Sequence, residues 1–84
     1  MAYTVILKRS AEKELDRLPV QLHERIARKL LELEDNPRPR GVQKLHGEDG
    51  FRIRVGDFRV LYVIDDRAQT VEIVAVGHRR DVYR

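Results

Sequence analysis

The segment FRIRVGDFRVLYVI, residues 51–64, contains three arginines that are well suited to binding an anion: Arg52, Arg54 and Arg59. Two runs of β-branched and aromatic residues flank Gly56-Asp57, and glycine at the first central position predicts a hairpin with a two-residue type II′ turn. The resulting register places Arg54 opposite Arg59, although like charges directly opposite each other destabilise a strand pair. Arg52 lies on the same face as Arg54. Clustered guanidinium groups are typical of a phosphate site, because each donates several hydrogen bonds in a planar fork.

The two faces of this hairpin differ sharply. One face is apolar apart from a single tyrosine hydroxyl and is predicted to be core: Phe51, Ile53, Val55, Phe58, Val60, Tyr62 and Ile64. The other face carries the three arginines with Leu61 and Val63, and it has no acid. Two interpretations stay open at this point. The arginines bind an anionic ligand, or each pairs with an acid from elsewhere, such as Asp57 or Glu72.

Further candidates flank the hairpin. Arg79 and Arg80 follow the last predicted strand, and Tyr83 lies close behind them. His78 is the only side chain near this group that ordinarily titrates close to neutral pH, which makes it a candidate general base. The alternatives are a structural histidine bonding the backbone at a strand end and, for Tyr83, an exposed terminal aromatic. Lys44 is a candidate for positioning a phosphate, with a solvated loop lysine as the alternative.

Composition bounds the class of protein. Eighty-four residues predict one domain, residues 1–84, and 42% hydrophobic with 37% charged residues is typical of a soluble globular chain. The absence of cysteine, of a long apolar run and of a signal-peptide pattern favours the cytoplasm. The sequence contains no GxxxxGK[ST], no HExxH and no Cys/His cluster, and its three histidines lie far apart, so neither a metal nor another cofactor is predicted.

Charge is distributed unevenly along the chain. Residues 1–35 hold seven basic and seven acidic side chains, whereas residues 36–84 hold ten basic and seven acidic ones. Thirteen of the seventeen basic residues are arginine. This pattern favours a polyanionic partner, with a merely basic surface as the alternative.

The elements that position these residues follow from periodicity. Tyr3–Leu7 predicts a first strand, Ser10 is expected to be the N-cap of a short helix, and Pro19 ends that helix and opens a second one. The second helix has an apolar face made of Leu22, Ile26, Ala27, Leu30, Leu31 and Leu33. A loop starts at Asn36, and a last strand follows the hairpin at Thr70–Val76. The prediction is an α+β fold of order β-α-α-β-β-β. Its two-helix hairpin packs on one face of a mainly antiparallel four-stranded sheet and leaves the arginines on the open face.

The whole chain resembles the RelE toxins of the RelE/ParE toxin–antitoxin superfamily. The resemblance is carried by the order of elements, KLHG before the hairpin, FRIRVGDFRVLY, and the ending VGHRRDVYR. It implies a toxin that cuts messenger RNA in the ribosomal A site without a metal or cofactor and leaves a 2′,3′-cyclic phosphate. It also implies a cognate RelB-like antitoxin, operator DNA contacted only through the toxin–antitoxin complex, and no membrane partner.

The resemblance also implies roles for individual residues. Arg52 and Arg54 lie at two basic positions of the family site, and Arg59 lies at the position of a phosphate-contacting arginine. Arg79 matches the proposed acid toward the leaving oxygen, and Tyr83 matches a tyrosine that stacks on or orients a base. Because arginine is a poor proton acceptor, the base is expected elsewhere, and His78 is the candidate.

Two other functions remain open. One is a ParE-like toxin that is not a nuclease and inhibits DNA gyrase. The other is an inactive member of the superfamily that is retained as a binding partner for its antitoxin. The arginine set and the terminal tyrosine favour the nuclease.

Overall fold

The computed structural model describes residues 2–45 and 50–82. In chain order its elements are β1 (Thr4–Leu7), α1 (Arg9–Asp16), α2 (Val20–Asp35), β2 (Gln43–Lys44), β3 (Gly50–Val55), β4 (Phe58–Asp65) and β5 (Thr70–His78). The predicted α+β class is confirmed, but the sheet of the described residues has five strands instead of four. The additional strand is β2, whose two polar residues are too few to show the alternation that reveals a strand.

The sheet has the order β1-β5-β4-β3-β2. Strand β1 is parallel to β5, and every other neighbouring pair is antiparallel. The predicted hairpin register is confirmed, with Val55 opposite Phe58 and Arg54 opposite Arg59. At the turn Gly56 has a φ of +60°, a left-handed conformation that glycine adopts without strain.

A bulge separates the two halves of the β4–β5 ladder. Leu61 pairs with Ala75, but the next residue, Tyr62, pairs with Ile73, so Val74 is the additional residue of β5. One inserted residue reverses the alternation of side chains beyond it. Both halves of β5 therefore contribute to the same core through Val71, Ile73 and Val76.

The helices cover one face of the sheet. The buried helical residues are Ala11, Leu15, Ile26, Leu30 and Leu33, and they pack on Ile53, Val55, Val60, Tyr62, Ile64, Val71, Ile73 and Val76. The Tyr62 hydroxyl lies within this core and donates a 2.8 Å hydrogen bond to the Pro37 carbonyl. Burial raises the pKa of Tyr62 to about 12. Leu31 is an exception to the predicted apolar face, since it is 60% exposed.

The start of α1 differs from the expected one. The helix begins at Arg9 after the N-cap residue Lys8, so Ser10 is not the cap. The Lys8 amide donates to the Ile73 carbonyl, while the Lys8 carbonyl accepts from the Glu12 amide. Pairing of the chain with β5 therefore ends at Lys8, directly before the first helical residue, and Ser10 lies inside the first turn of the helix. Pro19 precedes α2 as its N-cap residue, as predicted.

In the described part of the chain no helix has both the length and the apolar character needed to cross a membrane.

Candidate active site

The three hairpin arginines lie on the sheet face that the helices leave open, called the arginine face below. Arg54 and Arg59 are direct cross-strand partners, and Arg52 is opposite Leu61. The three side chains converge on a cleft of about 150 Å³, the arginine cleft, which is lined by Gly41, Gln43, Arg52, Arg54 and Arg59. The three arginines are therefore grouped on one face as the strand register predicted, and they line one small cleft.

Two of these arginines have no carboxylate partner within the described ranges. The ion pairs found there join His23 to Asp16, Lys29 to Glu32, and Arg38 to Asp66. Arg54 is exposed, and the half-buried Arg59 donates from Nη1 to the Phe58 carbonyl at 3.2 Å. Neutralisation of Arg54 or Arg59 by Asp57 or Glu72 is therefore not observed. Such a pair of like charges costs roughly 0.2–1 kcal/mol, which a bound phosphate would offset.

Gln43 is a member of the cleft that the sequence did not reveal. It is the cross-strand partner of Arg52, and its Oε1 accepts hydrogen bonds from Nε (2.7 Å) and Nη2 of that guanidinium. A glutamine in a polar stretch between a loop and a strand carries no pattern that marks it as part of a site. Only the pairing of β2 with β3 shows that it lies beside an arginine.

His78 and Lys44 do not join the arginine face. His78 is the partner of Phe58, whose ring it meets edge-on with centroids 5.7 Å apart, whereas Arg59 is opposite Gly77. The His78 Nδ1 accepts a 3.2 Å hydrogen bond from the Arg80 amide, as in the alternative of a structural histidine at a strand end. Lys44 is the partner of Phe51, and so it lies on the face opposite that of Arg52.

The chain after β5 folds back onto the arginine face. A Cβ built on Gly77, the residue opposite Arg59, would lie 3.4 Å from the Cβ of Val82. The Val82 amide donates to the His78 carbonyl at 3.0 Å, and the amide of the exposed Arg79 donates to the Asp57 carbonyl at 2.9 Å. Residues 79–82, called the C-terminal turn below, are thereby tied to the β3–β4 turn.

Arg80 and Tyr83 are the other two predicted site residues of the C-terminal segment. Arg80 is exposed beside Arg79. Tyr83 lies outside the described residues.

The loop that leads into β2 is anchored at the opposite end of the sheet. Arg38 donates from Nη1 and Nη2 to the two carboxylate oxygens of Asp66 at 3.2 and 2.9 Å, and its guanidinium lies 5.3 Å from the Phe51 ring centroid. The Tyr3 hydroxyl donates to the same carboxylate at 2.7 Å. These bonds, that of Arg38 first, hold the pKa of Asp66 below its usual value. The anchor holds the loop that contains Gly41 and leads directly into Gln43 of β2, and both residues line the arginine cleft.

Residues 5–83 match the model of a family described as the ParE toxin of the type II toxin–antitoxin system parDE. The chain is 35% identical to toxin RelG of Mycobacterium tuberculosis, over 100% of this chain and 99% of that protein. It is likewise 35% identical to toxin RelE of the same organism, over 98% of this chain and 87% of the relative.

Solved structures agree with these matches. The archaeal RelE–RelB complex from Pyrococcus horikoshii contains a chain that is 31% identical, with a TM-score of 0.85 over 98% of this chain and 100% of that one. The RelBE2 toxin–antitoxin complex of M. tuberculosis contains a chain that is 33% identical, with a TM-score of 0.83 over 94% and 100% of the two chains.

Proposed function

This chain belongs to the RelE/ParE family of type II toxin–antitoxin systems, and from that premise we propose that it is an endoribonuclease that cuts messenger RNA on the ribosome. The RNA supplies its own 2′-hydroxyl as the nucleophile, no metal takes part, and the product carries a 2′,3′-cyclic phosphate. The observation that supports this function best is the arginine cleft. In it Arg54 faces Arg59, and neither has a carboxylate partner in the described part of the chain.

The chemistry assigns the arginines to charge stabilisation. As the 2′-oxygen bonds to phosphorus, negative charge grows on the phosphorane oxygens, and fixed cationic donors stabilise it. Arg52, Arg54 and Arg59 supply such donors from one small cleft. Cleavage of the bond to the 5′-oxygen then leaves charge on that atom, toward which Arg79 acts as the acid. Tyr83 orients a base, and the exposed Arg80 binds the RNA backbone.

The geometry changes the assignment of the base. His78 lies on the Phe58 side of the sheet, and its Nδ1 already accepts from the Arg80 amide. We therefore assign the rate to charge stabilisation in the arginine cleft and to alignment of the RNA by the ribosome, and the 2′-hydroxyl proton passes to solvent water instead of to His78.

A cognate RelB-like antitoxin completes the proposal. The similar RelE chains from P. horikoshii and M. tuberculosis were solved in complex with their antitoxins. We expect an acidic antitoxin segment to pair with the arginine cleft and to cover Leu61 and Val63, which are only half-buried. Operator DNA is then contacted through the complex. Co-expression of the antitoxin should restore growth to cells that produce this chain.

The second candidate function is inhibition of DNA gyrase without RNA cleavage. One observation favours it, because the matching family model is named for ParE. Expression of this chain alone, with pulse labelling of new protein and new DNA, separates the two functions. For the nuclease, protein synthesis falls before DNA synthesis does. If DNA synthesis stops first and the SOS response is induced, the chain acts on DNA gyrase, and if growth continues unchanged it is an inactive member.

A further inference from the structure

Strand β1 lies at an edge of the sheet, with β5 on one side and no strand of the described residues on the other. The amides of Thr4 and Lys8 both point toward β5, where each donates a 2.9 Å hydrogen bond to a carbonyl. Because the direction of the amides alternates along a strand, those of Val5 and Leu7 point outward. Neither has an acceptor among the described residues.

This open edge is short, because both of its ends are closed. The Tyr3 amide also points outward, but it donates to the Glu34 carbonyl at 2.7 Å, so the end of α2 closes the edge on that side. After Leu7 the chain leaves the strand, and α1 begins at Arg9. The outward amides of Val5 and Leu7 are therefore the open edge, and such an edge is a template for pairing with another strand.

Apolar side chains surround the open edge. Ile6 is 46% exposed, and Leu31 of the neighbouring α2 is 60% exposed. A groove of about 340 Å³ lies beside the edge on the helix side of the sheet, and it is lined mainly by Val5, Leu7, Leu15, Ala27, Leu30 and Leu31. A strand that pairs with β1 would bury this apolar surface in addition to bonding the two amides.

The pattern of open amides fits a second copy of this chain. A two-fold axis perpendicular to the sheet pairs two identical edge strands in antiparallel orientation. When the axis passes beside Ile6, the two Ile6 residues are opposite each other and Val5 of each copy is opposite Leu7 of the other. Because outward-pointing residues that lie directly opposite exchange two hydrogen bonds, this register uses both open amides of each copy.

Charges at the two ends of β1 are complementary in the same register. Glu34 borders the groove at the end of the strand where Tyr3 lies, and the exposed Arg9 follows the other end. Antiparallel pairing brings the start of one β1 next to the end of the other, so Tyr3 of one copy is opposite Arg9 of the second copy. Each Glu34 thereby meets an Arg9 across the axis.

We propose that this chain forms a two-fold symmetric dimer through β1, in which the sheet continues from one copy into the other with Ile6 at the axis. The arginine cleft lies on β2, β3 and β4, away from this edge, and stays open in the dimer. The inference therefore does not depend on the proposed RNA cleavage.

Sedimentation equilibrium of the isolated chain from about 1 µM to about 500 µM tests the dimer, which should dissociate within this range. Ile6→Lys places two ammonium groups opposite each other at the axis and should raise the dissociation constant at least about 10-fold. Val20→Lys is the matched control, since Val20 is 72% exposed at the other end of α2, and it should leave the dissociation constant unchanged.

Charge reversal tests the register. Arg9→Glu and Glu34→Arg should each weaken the dimer about 3-fold to 10-fold, and the two together should restore most of the wild-type affinity. Misfolding is not expected in either variant, because an acid in the first turn of α1 and a base in the last turn of α2 both favour their helices. A double variant that binds no tighter than the single ones would show that the register is wrong.

Amide hydrogen exchange identifies the surface that is used. As the concentration rises from mostly monomer to mostly dimer, exchange of the Val5 and Leu7 amides should slow at least about 10-fold. A chain that stays monomeric up to about 500 µM overturns the inference and leaves the edge to a strand of another protein, such as the antitoxin. A dimer in which these two amides exchange as fast as in the monomer forms through another surface, and it overturns the inference equally.

Discussion

At the scale of single residues the site depends on the opposition of Arg54 and Arg59. Strand pairing brings the two cations together, and the described residues provide no carboxylate to separate them. We expect such an arrangement to lower the stability of the empty protein slightly and, under the proposed function, to be relieved by a bound phosphate. An arginine retained for stability would instead have an acid beside it. Substitution of either arginine should therefore reduce RNA cleavage without reducing the stability of the fold.

Arg59→Ala should abolish RNA cleavage and leave the free energy of unfolding unchanged or higher by roughly 0.2–1 kcal/mol, because it removes repulsion across the strands. Urea denaturation and single-turnover cleavage measure the two effects. Arg67→Ala, at an exposed arginine of the β4–β5 turn, is the matched control and should change neither. A large loss of stability in Arg59→Ala would show that this residue is a structural partner instead.

His78→Gln should cleave within about 2-fold of the wild-type rate, because His78 pairs with Phe58 away from the arginine face and a glutamine oxygen can still accept from the Arg80 amide. The rate between pH 5 and 8 should show no limb that depends on this residue. A variant that loses most of its rate together with the acidic limb would identify His78 as the general base after all.

At the scale of elements, local signals predicted the hairpin and long-range pairing decided the rest. The turn at Gly56-Asp57 and the alternation around it were enough to derive the opposition of Arg54 and Arg59. The sheet face on which His78 lies could not be derived from the sequence, because it depends on the β4–β5 register. That ladder contains a bulge after Leu61, and no residue type in the sequence predicts it. Gln43 was missed for the same reason, since β2 exists only through its pairing with β3.

The β1 and α1 elements show a similar limit. Ser10 has the residue type of an N-cap, but the hydrogen bond from the Lys8 amide to Ile73 moves the start of the helix to Arg9. Tertiary pairing overrode the local preference.

The C-terminal turn packs against Gly77 with room for a small side chain only. A methyl group there would meet the Val82 Cβ at 3.4 Å, an ordinary contact distance, so Gly77→Ala should retain both folding and cleavage. Gly77→Val places additional methyl groups in the same space and should displace the turn that carries Arg79. We expect cleavage to fall in Gly77→Val while the unfolding midpoint changes little. Equal activity of the two variants would show that the turn does not position the reaction.

The anchor between Arg38 and Asp66 gives the fold a pH dependence of known sign. Because the pKa of Asp66 is lowered in the folded protein, the stabilising effect of its carboxylate is present above the unfolded pKa of about 3.9 and is lost as the pH falls through the folded pKa. Asp66→Asn should therefore be less stable than the wild type at pH 6, and the difference should shrink below about pH 4. Urea titrations at several pH values measure this. A difference that stays constant down to pH 2 would contradict it.

At the scale of the whole molecule, the positive charge is concentrated in the half of the chain that forms the open side of the sheet. Residues 1–35, whose seven basic and seven acidic side chains cancel, provide both helices and the strand β1. The basic excess lies in residues 36–84, which supply the arginine face and the C-terminal turn. One side of the sheet is closed by a helical hairpin, and the other presents clustered cations beside half-buried Leu61 and Val63. Under the proposed function, messenger RNA and an acidic antitoxin segment compete for that surface, so the same face would serve the activity and its inhibition.

The most direct test of this account is cleavage of a messenger RNA held in the ribosomal A site, with and without a single 2′-deoxy substitution at the cut nucleotide. The wild type should cut the all-ribose RNA and leave a 2′,3′-cyclic phosphate, and Arg54→Ala should leave it intact. The 2′-deoxy RNA should remain uncut, because the nucleophile is then missing. Cleavage of the 2′-deoxy RNA, or full activity in Arg54→Ala, would contradict a reaction through the 2′-hydroxyl in the arginine cleft.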